Sequence, residues 1–334
     1  MSNKATILSN IGHVHIAQGD YKKALNCWKE SLDINERLGN LTGKSRDLNN
    51  ISTIYGNLGN LSEALKWFQE SLKINDLLGN LNDKAVALTN IGEIYKIQRN
   101  LSEALKWYQE ALEINERLGI LDDKAIVLSN IGQIYDMQGN SLEALKQYKK
   151  ALEIDERLGS LSGRARDFNN IGTIYIKQKK YKEALESFNK ALEIVEKTGD
   201  LNKKSKFLTN IGILYDSQGK YLKSLDCYER GLLIAEKSGN ISDKAYLLNN
   251  IGSVYYKKGE YLKALKNLKD SLKIYQQLGN KPLIAKTYMN IGVLYSKKKE
   301  KSKALEYLKR AESLYEKLGL YNMLKRVQEN IDHL

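Results

Sequence analysis

The chain has 334 residues, a net charge of +13, two cysteines and a single proline. No apolar run is long enough to cross a membrane, and Met1-Ser-Asn-Lys lacks the apolar segment of a signal peptide. Cys27 and Cys227 share one repeat phase five repeats apart, which points to free thiols in a reducing, cytoplasmic compartment rather than to a disulfide.

A period of forty residues organises the chain. Cutting after every fortieth residue yields eight repeats, 1–40, 41–80, 81–120, 121–160, 161–200, 201–240, 241–280 and 281–320, with a remnant at 321–334. Units of this kind bury their apolar faces against their neighbours, so the expectation is one elongated domain over 1–334. Each repeat predicts two helices. In the first, Ala85, Leu88, Ile91, Gly92 and Tyr95 lie on one helix face. Gly19, Gly59, Gly139, Gly219 and Gly259 end this helix in five repeats, and Arg99, Lys179 and Lys299 hold the same phase in three others. Asn60, Asn100 and Asn140, each followed three residues later by Glu63, Glu103 and Glu143, predict capping boxes for the second helix. That helix carries Ala104, Leu105, Tyr108, Ala111 and Leu112, and Gly119 with its equivalents closes it at the left-handed cap position.

Small residues alternate with large ones across the pair. Gly92 and Ala104 admit close approach, while Tyr95 and Tyr108 fill the remaining space. The result is a helical hairpin that stacks on copies of itself, an all-α solenoid. In residues 321–334 the apolar phases turn polar, with Gln328 for Leu and Asp332 for Gly, as expected of a C-terminal capping helix. Repeat 1 opens directly at Met1 and carries His15 in place of the tyrosine; either its first helix frays or the chain was cut from something longer.

Leu88, Gly92, Tyr95, Ala104, Tyr108 and Ala111 resemble the tetratricopeptide repeat (TPR) in order and spacing, and the resemblance covers essentially the whole chain. It implies a right-handed α-solenoid whose first helices line a concave groove. Two features depart from the family pattern: a period of forty rather than thirty-four, and Glu116, Glu156 and Glu196 continuing the second helix where a proline is usual. Long-helix repeats with Asn-Ile-Gly are similar to those of Pins-type adaptors, kinesin light chains and some bacterial peptide-sensing regulators.

No catalytic residue, metal site or cofactor is expected. His13, His15 and His333 are the only histidines, the first two point to different helix faces, and no Gly-rich phosphate loop is present. Binding has better support. Val86, Asn90, Glu93 and Ile97 form a second stripe beside the buried one, and the resemblance turns that stripe into the groove. Asn50, Asn90, Asn130, Asn170, Asn210, Asn250 and Asn290 hold one phase of it, with Asn10 and Asn330 at the ends. An amide both donates and accepts, so the series would grip a peptide main chain. The same amides could equally stitch adjacent repeats together. Specificity then falls to the variable members: Val86, Ile97, Ile126 and Met137 as an apolar patch, and Arg166, Lys177, Lys206, Lys257, Lys286 and Lys297 as a basic track. For Val86 and Ile126 the alternative is packing between neighbouring first helices.

Residues 1–160 carry 19 Lys and Arg against 21 Asp and Glu, whereas residues 161–334 carry 34 against 19. The expected partner is a protein or peptide with an acidic flank. Nucleic acid is the weaker alternative, because Arg is scarce and groove aromatics are few beyond Tyr246 and Tyr256. The sensor region of a larger regulator or enzyme is a third.

Overall fold

The computed structural model describes residues 2–18 and 20–334, and among them lie seventeen helices and no strand. The chain divides into two compact units, Met1–Asp167 and Phe168–Leu334. The first holds α1 (Ser2–Ala17), α2 (Tyr21–Arg37), α3 (Leu41–Asn57), α4 (Leu61–Leu78), α5 (Leu81–Ile97), α6 (Leu101–Leu118), α7 (Leu121–Met137) and α8 (Ser141–Leu158). The unit boundary falls inside α9 (Leu161–Lys177). The second holds α10 (Tyr181–Thr198), α11 (Leu201–Ser217), α12 (Tyr221–Lys237), α13 (Ile241–Lys257), α14 (Tyr261–Gln277), α15 (Lys281–Lys297), α16 (Lys301–Lys317) and α17 (Tyr321–Asp332). Each predicted repeat is one helix–turn–helix pair, and α17 is the capping helix, seated by the fully buried Val327.

Packing follows the small-to-large alternation. Gly92, Ala104 and Tyr108 are buried, and a Cβ added at Gly92 would stand 2.8 Å from Tyr108 Cδ1. The ring therefore lies flat against the first helix where a side chain would otherwise be. Its hydroxyl donates to Glu93 Oε2 at 2.9 Å, which satisfies the one polar atom on a buried ring. Leu88, Ala104, Tyr108, Ala111, Val127, Ile131 and Ile134 form one apolar cluster across α5, α6 and α7, so each second helix is shared by the first helices on either side. At α1 the equivalent face stays open, with Ile7, Ile11 and Val14 exposed.

The helix ends show what the pattern could and could not specify. Gly119 takes φ +70° as expected, and Arg99, Lys179 and Lys299 adopt the same left-handed conformation despite carrying side chains. Gly19 lies outside the described residues. The capping boxes are half made. Asn60 Oδ1 accepts from the Glu63 backbone N–H at 3.4 Å, but the Asn60 N–H donates to the Tyr55 carbonyl at 2.9 Å rather than to the Glu63 carboxylate. The chain turns so tightly between the helices that the preceding carbonyl reaches this donor first. First helices are also capped: Asn40, Asn80, Asn240 and Asn280 each accept from the backbone three residues on.

Gly92→Ala forces a methyl against the Tyr108 ring. It is expected to cost about 1–3 kcal/mol in chemical denaturation. An unaltered denaturation midpoint in Gly92→Ala would refute the close-approach account.

Candidate functional site

The recurring asparagine differs in its surroundings from repeat to repeat. In the second unit Asn210 Nδ2 donates to Asn169 Oδ1 at 2.7 Å, and Asn290 Nδ2 donates to Asn249 Oδ1 at 3.2 Å. Asn249 in turn donates to Thr287 Oγ1 at 3.0 Å, so α13 and α15 are tied twice through one residue. These amides join neighbouring first helices. Asn330 Nδ2 donates within its own helix, to the Arg326 carbonyl. The Nδ2 atoms of Asn50, Asn170 and Asn250 are buried without a partner among the described residues. Asn90 and Asn130 are half-buried, and neither side chain makes a hydrogen bond to any described residue.

The residues beside this last pair are open. Val86 is 39% exposed, Ile126 42%, Ile97 51% and Met137 37%, so packing between first helices does not consume them. Ala85, Val86, Asn90, Asn115, Asp123 and Ile126 line a cavity of about 160 Å³ between α5 and α7, with the end of α6 beneath it. Its wall is apolar apart from the two amides, Thr89 and one carboxylate.

Asn115 was not anticipated as a site residue. It is 1% exposed, and neither Nδ2 nor Oδ1 has a hydrogen-bond partner among the described residues. Leaving a buried polar group unpaired costs about 1–3 kcal/mol. At the same phase elsewhere the polar residue is satisfied. Asn35 donates to Asp47 Oδ2 at 2.8 Å and accepts from Asn40 Nδ2 at 2.8 Å. Asn75 accepts from Ser45 Oγ at 2.8 Å. Asp155 accepts from Arg166 Nη2 at 3.0 Å. Around Asn115 the corresponding positions are Ala85, Ala111, Ile120 and Val127, none of which offers a polar side chain. A polar phase at Asn35, Asn75, Asn115 and Asp155, giving way to Val195, Ala235, Tyr275 and Tyr315, was the signal available in the sequence.

The basic track is uneven. Arg166 is held by two buried carboxylates, through Nη2 to Asp155 and through Nε to Asp167 Oδ1, each at 3.0 Å. Lys257 Nζ pairs with Asp216 Oδ2 at 2.6 Å. Lys206 and Lys297 are exposed, as is Lys177. Burial lowers the Lys286 pKa, and the nearby Arg326 charge lowers it further. Lys204 and Lys244, elsewhere in the basic half, pair with Glu196 and Glu236.

Asp167 is fully buried and accepts at Oδ1 from Ser129 and Arg166, while its Oδ2 has no partner among the described residues. Burial pushes its carboxyl up to about 6; the Arg166 charge opposes this and the Asp155 charge adds to it. One guanidinium between two buried acids is balanced when Asp167 keeps its proton. An unfolded Asp titrates near about 3.9. Between about pH 4 and 6 the folded state therefore binds the extra proton, and stability falls as pH rises through that window. Asp167→Asn should abolish this share, about 2–3 kcal/mol, in denaturation curves compared at pH 4.5 and 7. An identical pH dependence in both proteins would exclude Asp167 as its source.

Cys27 and Cys227 are free thiols, and burial raises the Cys227 pKa to about 11, which keeps it protonated and unreactive. Among the described residues no helix is long and apolar enough to cross a membrane, and no cluster of His, Cys, Asp and Glu could hold a metal.

Comparison with known proteins places these features in a family. A family model described as tetratricopeptide repeat matches residues 3–76, 83–157, 165–237 and 243–317. No curated protein matches the chain. Among solved structures, the apo quorum sensor NprR from B. thuringiensis shares 16% identity over 93% of this chain and 87% of its own, with a TM-score of 0.73. A Rap protein complexed with competence and sporulation factor shares 15% identity over 100% of this chain and 98% of its own, with a TM-score of 0.65. Aspartyl phosphate phosphatase F from Bacillus subtilis shares 15% identity over 86% and 75%, with a TM-score of 0.66. At these identities the likeness shows a common fold.

Proposed function

Because the chain belongs to the tetratricopeptide repeat family, we propose that it is a non-enzymatic scaffold that binds a peptide or an extended protein segment along its first helices. The observation that carries this reading is the contrast within the asparagine series. Asn210 and Asn290 are engaged between helices, whereas Asn90 and Asn130 keep unpaired amides beside exposed Val86, Ile97, Ile126 and Met137. Unpaired donor and acceptor pairs suit a main chain, and the aliphatic side chains around them suit apolar residues of the ligand.

The neighbours support a binding role. One is named as a quorum sensor and another is complexed with a factor, while a third is named for phosphatase activity and lends this chain its fold alone. An acidic flank on the ligand would meet the exposed Lys206 and Lys297. Nucleic acid is disfavoured, because several cations of the basic half already pair with carboxylates, as Lys204, Lys244 and Lys257 do. A reducing, cytoplasmic setting fits the two free thiols.

Peptides selected on the wild type from a displayed random library should lose about tenfold or more in affinity for the Asn90→Ala/Asn130→Ala variant, whose denaturation midpoint stays near that of the wild type. Asn210→Ala/Asn290→Ala should do the reverse and lose about 0.5–1.5 kcal/mol of stability per bond. Equal affinity for wild type and Asn90→Ala/Asn130→Ala, or steep salt dependence with a tighter nucleic-acid complex, would overturn the reading.

A further inference from the structure

We propose that the cavity between α5 and α7 is a specificity pocket for one carboxamide side chain, glutamine or asparagine, of the bound peptide. This inference rests on the peptide-binding reading above and adds the chemistry of a single subsite. Three observations converge on it.

The first is the isolation of Asn115. Each neighbouring repeat of this unit supplies polar partners for the residue at that phase: Asp47 and Asn40 for Asn35, Ser45 for Asn75, and Arg166 for Asp155. Around Asn115 the corresponding positions are Ala85, Ala111, Ile120 and Val127. At the same phase Val195 and Ala235 are apolar although Asp200, Ser205 and Asn240 stand at corresponding positions, so the fold does not require a polar residue there. Among the described residues Asn115 alone has a fully buried amide whose donor and acceptor are both unpaired. Packing therefore does not account for it.

The second is its position. Asn115 belongs to the lining of a cavity of about 160 Å³ that also receives Asn90, an amide without a protein partner. Engineered cavities of roughly 150 Å³ accept a benzene ring, so the space suits one side chain and not a stretch of main chain. Asn115 is a lining residue of that cavity, and its nitrogen and oxygen are both buried. A turn about χ2, a soft torsion in asparagine, brings either of them toward the space.

The third is the polarity of the lining. Two amides demand a ligand group that donates and accepts at once, which a carboxamide does in one plane. A ligand carboxylate would face Asp123 with no cation in the lining. An ammonium would match Asp123 but leave the amide N–H groups without an acceptor. Val86 and Ile126, both about two-fifths exposed, flank the opening and pack on the methylenes that precede the carboxamide.

The test selects random octapeptides displayed on phage against the wild type, Asn115→Leu and Asn115→Val, the last being the residue that repeat 5 carries at this phase. Both variants should melt no lower than the wild type, since each removes an unpaired buried amide, and either one suffices if the other misfolds. The wild-type pool is expected to enrich glutamine or asparagine at one position, and the variant pools to enrich an aliphatic residue there instead. For a synthetic peptide from the wild-type pool, Gln→Glu should cost about tenfold on the wild type, while Gln→Met should cost nothing on Asn115→Leu. Carboxamide enrichment that persists in both variants would overturn the pocket, as would enrichment of lysine or of apolar residues on the wild type. If the wild type selects no peptide, the groove reading itself fails and the pocket with it.

Discussion

Everything in this fold hangs on the contact between a first helix and the ring of the second helix that lies across it. With no Cβ at Gly92, the Tyr108 ring packs directly on backbone, and the helix axes draw close enough for Leu88, Ile91 and Ile94 to be buried. Each such side chain contributes about 1.5–3 kcal/mol when fully removed from water. The covering side chain need not be aromatic. Leu268 and Leu308 fill the same place against Gly252 and Gly292, and repeat 2 buries Ser52 at the glycine phase, so the constraint is a small residue there and not the identity of what covers it.

Once the helices are so close, polar side chains on their flanks have few ways to be satisfied. Some repeats solve this with matched pairs, such as Ser45 with Ser71 and Asn75, or Asn249 with Thr287 and Asn290. Others use a charge, as where Arg166 serves both Asp155 and Asp167. Against that background Asn115 stands out, because both polar atoms of its buried amide lack a partner among the described residues. It lines a cavity with the exposed Val86 and Ile126, and an unsatisfied buried amide there is a poor arrangement for stability alone. Function commonly accounts for such local costs. The ion pairs along the outer edges, for example Lys44 with Glu36 and Glu70, are partly exposed and contribute little by comparison.

Much of the fold was legible in the residues themselves. A forty-residue period, apolar residues at three- and four-residue steps and glycines at left-handed caps are local signals, because helix torsions and caps depend on neighbours within a turn. The site was legible only in outline. Val86, Ile97, Ile126 and Met137 could be placed on one stripe by geometry, but their exposure depended on how tightly the adjacent first helices closed. Arg166 and Lys257 looked identical to Lys206 on that stripe, although their charges are taken up by Asp155, Asp167 and Asp216.

By itself, then, the sequence determined the helix pairs, their length, their ends and the close approach that stacks them, since each follows from torsion, periodicity and the size of a single residue. Only the tertiary structure decided the fate of the asparagines. Asn210 bonds the asparagine forty-one positions back at 2.7 Å, whereas Asn90, with Asn49 at the same offset, makes no such bond. Hydrogen bonding is settled within a few ångströms, and which side chains come that near across two helices is set by packing, which no repeat phase encodes.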